Sequence, residues 1–146
     1  ETIAALYEAS QAGVKIDLVV RGVCALRPGI KGLSENIRVR SIIGRFLEHH
    51  RIFYFYAGGK ENVYLSSADW MERNFFRRIE LAFPVLDRKL KRRVISEGLQ
   101  AYLTDNVQAW EMKANGSYLR KRRTGKTPAR CAQCQLIEAL KPGSSA

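Results

Sequence analysis

Thr2-Ile-Ala-Ala-Leu-Tyr-Glu-Ala-Ser-Gln-Ala-Gly13, followed directly by Val14-Lys-Ile-Asp-Leu-Val-Val20, decides the fold class. Ile3, Leu6, Tyr7 and Ser10 recur at helical spacing, alanines fill the gaps and Gly13 is a natural stop, so the pattern predicts a helix over 2–12. Residues 14–20 alternate and then run apolar, as a strand inside a sheet does. Helix, glycine, buried strand is the pattern of an α/β architecture. Arg21 ends the strand, and the carboxyl ends of strands are where open α/β sheets bind ligands. An ordinary surface arginine is the competing reading.

Outward from that unit, 22–36 reads as a long loop broken by Gly22, Pro28, Gly29 and Gly32. Ile37 to Arg40 alternates as a short strand, and Ser41 is expected to cap a short helix through Leu47, with Ile42, Ile43, Phe46 and Leu47 inward. Arg45-Phe-Leu-Glu-His-His-Arg-Ile-Phe-Tyr-Phe55 holds both histidines of the chain. With a strand from Arg51, alternation places His49 and Arg51 on one face, an imidazole beside a permanent cation and a sensible arrangement for phosphate chemistry. A pair of loop histidines before an edge strand is the plainer alternative.

Ala57-Gly-Gly-Lys60 marks a hairpin into the strand Asn62 to Leu65. Ser66-Ser-Ala-Asp-Trp70, with Arg73 and Asn74 behind it, resembles a polar pocket floor. Residues 79–85 read as a buried strand, and Glu80 is expected to orient an arginine or histidine, or to form a plain salt bridge. Residues 87–103 form an amphipathic helix with Leu86, Leu90, Val94 and Ile95 or Leu99 inward and Lys89, Lys91, Arg92 and Arg93 outward. Val107 to Met112 suits a last strand; 113–130 is a basic polar loop, Cys131 to Leu140 a short helix and 141–146 a frayed end.

Length, at 146 residues, suits one domain with an appended tail, and 46% hydrophobic content is enough for a real core. A net charge of +11, from 25 basic and 14 acidic residues, points to polyanionic partners. No apolar run approaches the roughly 20 residues that span a bilayer, and the start lacks a signal-peptide pattern. Three cysteines without a disulfide-like framework fit a reducing compartment. Cys131-Ala-Gln-Cys134 has no second pair and no nearby histidine, which argues against zinc, and Asn115-Gly-Ser117 is read as a turn.

Three runs carry a resemblance: Arg21-Gly-Val-Cys-Ala-Leu-Arg-Pro-Gly29, Gly32-Leu-Ser-Glu-Asn-Ile-Arg-Val-Arg-Ser-Ile-Ile-Gly-Arg-Phe-Leu-Glu-His49 and Tyr64-Leu-Ser-Ser-Ala-Asp-Trp-Met-Glu-Arg-Asn74. They resemble the C-terminal part of bacterial polyphosphate kinase of the first type, over about residues 1–113, while 114–146 matches only loosely. The resemblance implies a phospholipase D-like α/β fold, a mixed β-sheet flanked by helices, with 1–113 as the C-terminal catalytic domain and 114–146 as a basic tail. In that superfamily each half supplies a His-x-Lys element; here it is His49-His-Arg51, with arginine replacing lysine.

By position, the resemblance makes His49 the second active-site histidine and Arg21 a nucleotide-phosphate ligand, gives Glu80 a supporting role and leaves His50 dispensable. It implies reversible transfer of the terminal phosphate of ATP to polyphosphate through a phosphohistidine in another domain. ATP or ADP and inorganic polyphosphate are then the substrates, and the other domains of the same enzyme and a homo-oligomer the partners. Mg²⁺ would be held by ligands outside this chain. The location implied is cytoplasmic, with membrane association of a complex admitted. Two rivals stand beside it: a phospholipase D-type phosphodiesterase with His49 as nucleophile, and a non-catalytic basic module binding nucleic acid with Tyr54, Tyr56 and Trp70 for stacking.

Overall fold

The structure, a computed structural model, describes residues 1–142. In chain order the elements are α1 (Thr2–Gln11), β1 (Ile16–Val19), β2 (Ile37–Ile42), β3 (Ile52–Ala57), β4 (Lys60–Ser66), α2 (Glu72–Arg77), β5 (Ala82–Pro84), α3 (Arg88–Ile95), a π-helical turn (Ser96–Gln100), α4 (Ala101–Thr104), β6 (Ala109–Met112), β7 (Tyr118–Arg120) and α5 (Ala132–Ala139). The expected α/β class holds, but its strands form two sheets rather than one. The chain divides into two compact units, 1–47 with the residues from 102 onward, and 48–101.

In the first unit the sheet runs β1-β2-β6-β7, with β1 parallel to β2 and the other pairs antiparallel. α1 ends as its sequence predicts: the Gly13 N–H donates to Ser10 O and the Val14 N–H to Ala9 O, while Gly13 sits at φ +86°. This glycine-dependent cap turns the chain into β1. Leu26, Ile37 and Val39 are the buried centre, covered by Leu6, Tyr7, Ile16, Leu18 and Val20. β1 is an edge strand, not the interior strand its apolar run suggested: Asp17 and Val19 face outward while Ile16 and Leu18 are half-buried.

No helix forms over 41–47. β2 continues through Ser41, opposite Trp110, to Ile42, opposite Ala109, and Ile43, Phe46 and Leu47 are exposed. A β-branched run with a ladder partner outweighs a local capping signal. The tail joins the same sheet. β7 pairs with β6, and residue 113 lies in the turn between them, where Asn115 Oδ1 accepts from the Ser117 N–H and hydroxyl. Asp105, fully buried, accepts from the N–H groups of Val107, Gln108 and Ala109 through Oδ1 and from that of Ala132 through Oδ2. One carboxylate therefore ties the approach to β6 to the first turn of α5. The frayed end expected at 141–146 lies outside the described residues from 143 onward.

In the second unit β3, β4 and β5 make an antiparallel sheet in that order. Gly58 and Gly59, at φ +56° and +78°, form the expected tight hairpin, and positive φ at both central residues suits the strand twist. β5 is shorter than the expected 79–85, and its three residues are exposed. Pro84 has no N–H to extend the ladder, and Ile79 is fully exposed. Val63, Ala68 and Val85 are the buried apolar residues here. Asp87 caps α3 by accepting from the Leu90 N–H at 2.8 Å. Leu86 and Leu90, expected inward, are exposed, whereas Val94 and Ile95 are half-buried.

Candidate active site

His49 and Arg51 stand just ahead of β3, and the ladder reaches back to them through the Ser66 N–H donating to Arg51 O at 3.0 Å. That bond brings the turn after β4 alongside. There the Ala68 N–H donates to Ser66 Oγ and the Met71 N–H to Asp69 O, which fixes the position of Asp69. Arg51 links the two segments. Its Nε donates to Asp69 Oδ1 at 2.9 Å, and its Nη1 donates to His49 Nδ1 at 3.1 Å and to His49 O at 3.0 Å. The Arg51 and Asp69 side chains are 17% and 29% exposed, so this ion pair is better shielded than an ordinary surface pair.

Glu80 closes a second network in the same unit. Ser67 Oγ donates to Glu80 Oε2 and Asn74 Nδ2 to Oε1, while the Leu81 N–H donates to Ser67 Oγ. These donors, that of Ser67 first, hold the Glu80 carboxyl below its ordinary value against partial desolvation, with Arg78 and Arg51 adding attraction. The expectation that Glu80 orients an arginine or histidine is corrected: its hydrogen-bond partners are a hydroxyl and an amide. Asn74 is 5% exposed, and its Oδ1 is a buried acceptor without a partner.

The two histidines separate. His50 Nε2 donates to Gly98 O at 3.1 Å, and its Nδ1 lies 3.5 Å from a Glu48 carboxylate oxygen, so its ring belongs to the packing between the π turn and β3. Arg21 lies two residues beyond β1 in the first unit, while His49, Arg51, Asp69 and Glu80 belong to the second. Cys131 and Cys134 are joined as a disulfide at the first turn of α5, where no bridge was expected. The three-residue separation puts both sulfurs on one helical turn, a proximity that a count of cysteines does not register.

Among the described residues no group of three or more His, Cys, Asp or Glu side chains could hold a metal ion. Asp69 Oδ1 is engaged by Arg51, and both Glu80 oxygens are engaged by Ser67 and Asn74. These residues do not assemble a Mg²⁺ site. Asp69, Ser67 and Asn74 are legible in the sequence as a polar pocket floor and as part of a run that carries the resemblance, but not as partners of Arg51 and Glu80. What assigns them partners is the β3–β4 pairing, which a linear reading does not supply.

Residues 1–133 match the family described as polyphosphate kinase C-terminal domain 2. The match therefore runs well past residue 113 into the segment read as loosely related. A polyphosphate kinase of Burkholderia cenocepacia is 72% identical over 135 residues, 92% of this chain and 19% of that protein. One of Paraburkholderia phytofirmans is 71% identical over the same length. The crystal structure of polyphosphate kinase from Porphyromonas gingivalis superposes with a TM-score of 0.88 at 46% identity, covering 96% of this chain and 21% of that one. The chain thus spans about a fifth of the length of the relatives it matches.

Proposed function

The chain belongs to the polyphosphate kinase family through its C-terminal domain, and from that premise we propose that it is one part of an ATP:polyphosphate phosphotransferase. The reaction is reversible transfer of the terminal phosphate of ATP to polyphosphate. The attacking nitrogen belongs to a histidine outside this chain, which becomes phosphorylated and then passes the group on. Such transfer is governed by in-line positioning and by donors set against the charge on the phosphoryl oxygens. Arg21 offers a forked, charge-assisted grip on nucleotide phosphates. His49 donates a hydrogen bond to the attacking or leaving oxygen, or a proton to the leaving one. Glu80 supports the segment 66–81 through Ser67 and Asn74. Mg²⁺ bound with the nucleotide would neutralise phosphate charge, and its protein ligands would lie in other domains. Homo-oligomeric assembly and a cytoplasmic location belong to the same proposal.

The observation that supports this most is His49 held by Arg51 within a chain 72% identical to a named polyphosphate kinase. The test is polyphosphate synthesis by the full-length enzyme. His49→Ala is expected to lower the rate by about 10²–10³-fold, the usual cost of losing one donor aimed at developing charge. His50→Ser is expected to stay near the wild-type rate, because His50 faces Gly98 and Glu48. Undiminished synthesis by His49→Ala overturns the proposal. Phosphodiester hydrolysis by this chain alone would support the phosphodiesterase rival instead.

A further inference from the structure

We propose that Arg51, braced by Asp69, is a positioning residue that sets the tautomer of His49, so that the ring carries its proton on Nε2 and presents it as a donor. The inference rests on His49 acting in the transfer, and it assigns roles to two residues that the proposed function leaves without one. A guanidinium is a donor only and keeps its protons throughout the accessible pH range. The nitrogen it faces at 3.1 Å, His49 Nδ1, must therefore accept. A neutral imidazole that accepts at Nδ1 carries its hydrogen on Nε2.

The same guanidinium nitrogen also donates to His49 O at 3.0 Å. Ring and backbone of one residue are thus fixed by one group. Arg51 itself is held from the opposite side: Nε donates to Asp69 Oδ1, and the planar fork then aims Nη1 at His49. Asp69 in turn is held by its turn, through Ala68, Ser66 and Met71. The chain of contacts therefore runs from backbone to Asp69 to Arg51 to His49. Donors that are already aimed cost no reorganisation when phosphoryl charge develops.

With Nδ1 engaged and Nε2 protonated, His49 has no lone pair to attack phosphorus. It donates to an oxygen and leaves nucleophilic attack to another group. A lysine at position 51 would not substitute, because a single ammonium does not present two donors in one fixed plane to Asp69 and His49.

The test combines imidazole ¹H–¹⁵N correlation spectra of this 146-residue chain, at about pH 8 where an ordinary histidine is neutral, with kinetics of the full-length enzyme. The wild-type spectrum is expected to show His49 with unprotonated Nδ1 and protonated Nε2. Asp69→Asn and Arg51→Met should each shift His49 toward a mixture of tautomers, with His50, held by Gly98 O, as the unmoved internal control. In the enzyme, Arg51→Met should lower kcat by up to about 10²-fold, the scale of a small misplacement, with KM for ATP nearly unchanged. Arg51→Lys should not restore it. His49→Gln, which keeps an N–H donor, should outperform His49→Ala. A wild-type His49 protonated on Nδ1, or a tautomer indifferent to both Arg51→Met and Asp69→Asn, overturns the inference even where His49→Ala is inactive. Full activity of His49→Ala overturns the proposed function itself.

Discussion

Glu80 and Asp105 are both carboxylates surrounded by donors, yet they answer to different tests. Glu80 is partly exposed and its carboxyl is held below the ordinary 4.5 by Ser67 first and Asn74 second. A group with a lowered folded pKa contributes stability that is present above its unfolded value and is lost as pH falls through the folded value. The stability gap between wild type and Glu80→Gln should therefore be largest near neutrality and begin to shrink as pH falls below about 4.5, toward the lowered folded value. Chemical denaturation at a series of pH values measures it, and a gap that widens, rather than shrinks, as pH falls from neutrality would count against the network. Asp105 is fully buried with four N–H donors. In Asp105→Asn either one oxygen site becomes an NH₂ facing an N–H, or all four donors share one oxygen. A loss of about 3 kcal/mol is expected, more than for an exposed carboxamide swap. The resemblance singles out His49, Arg21 and Glu80 by position, but nothing in the sequence singles out Asp105. Its importance lies in donors from residues 107–109 and 132, the last of them far along the chain.

At the scale of elements, local signals succeed where the deciding interaction is itself local. Gly13 closes α1, and Gly58 and Gly59 turn the β3–β4 hairpin. They fail where a distant partner decides. Ser41 carries a capping signal, but Trp110 pairs opposite it and the strand continues. The short β7, within a stretch read as a basic loop, exists because β6 offers it an edge. The Asp87 cap gives a quantitative check. The residues after it, Arg88 and Lys89, put positive charge at the end of the helix that disfavours it, so the capping carboxylate answers both the unpaired N–H and that charge. Asp87→Ala should destabilise the protein by about 1 kcal/mol, and Asp87→Ser should recover most of it, because the hydroxyl accepts the same N–H. A thermal melt unchanged in Asp87→Ala would show that α3 is set by packing alone.

For the whole molecule, composition and long motif runs carry the family while leaving the architecture open. A charge of +11 suits a polyanionic partner, and similarity across most of the chain states the lineage. The division into 1–47 with 102 onward, and 48–101, leaves no compositional trace, because it depends on which distant segments pair. Lys113 and Lys121 both lie within salt-bridge distance of the Glu111 carboxylate, at 3.8 Å and 3.3 Å, so part of their charge is answered inside the protein. Arg122 and Arg123 follow in exposed, irregular chain. If this chain draws polyphosphate by counterion release, the logarithm of its affinity falls linearly with the logarithm of salt concentration, with a slope set by the number of phosphates engaged. Replacing Arg122 and Arg123 together by alanine should reduce that slope by about 2, one per phosphate contact removed. Lys121→Ala should reduce it by less than about 1, because Glu111 already compensates that charge. Titration by fluorescence anisotropy at several salt concentrations measures all three. A slope untouched by the double arginine replacement would move the polyanion site away from 122–123, and tighter binding of single-stranded DNA than of polyphosphate at every salt concentration would favour the nucleic-acid reading over the kinase one.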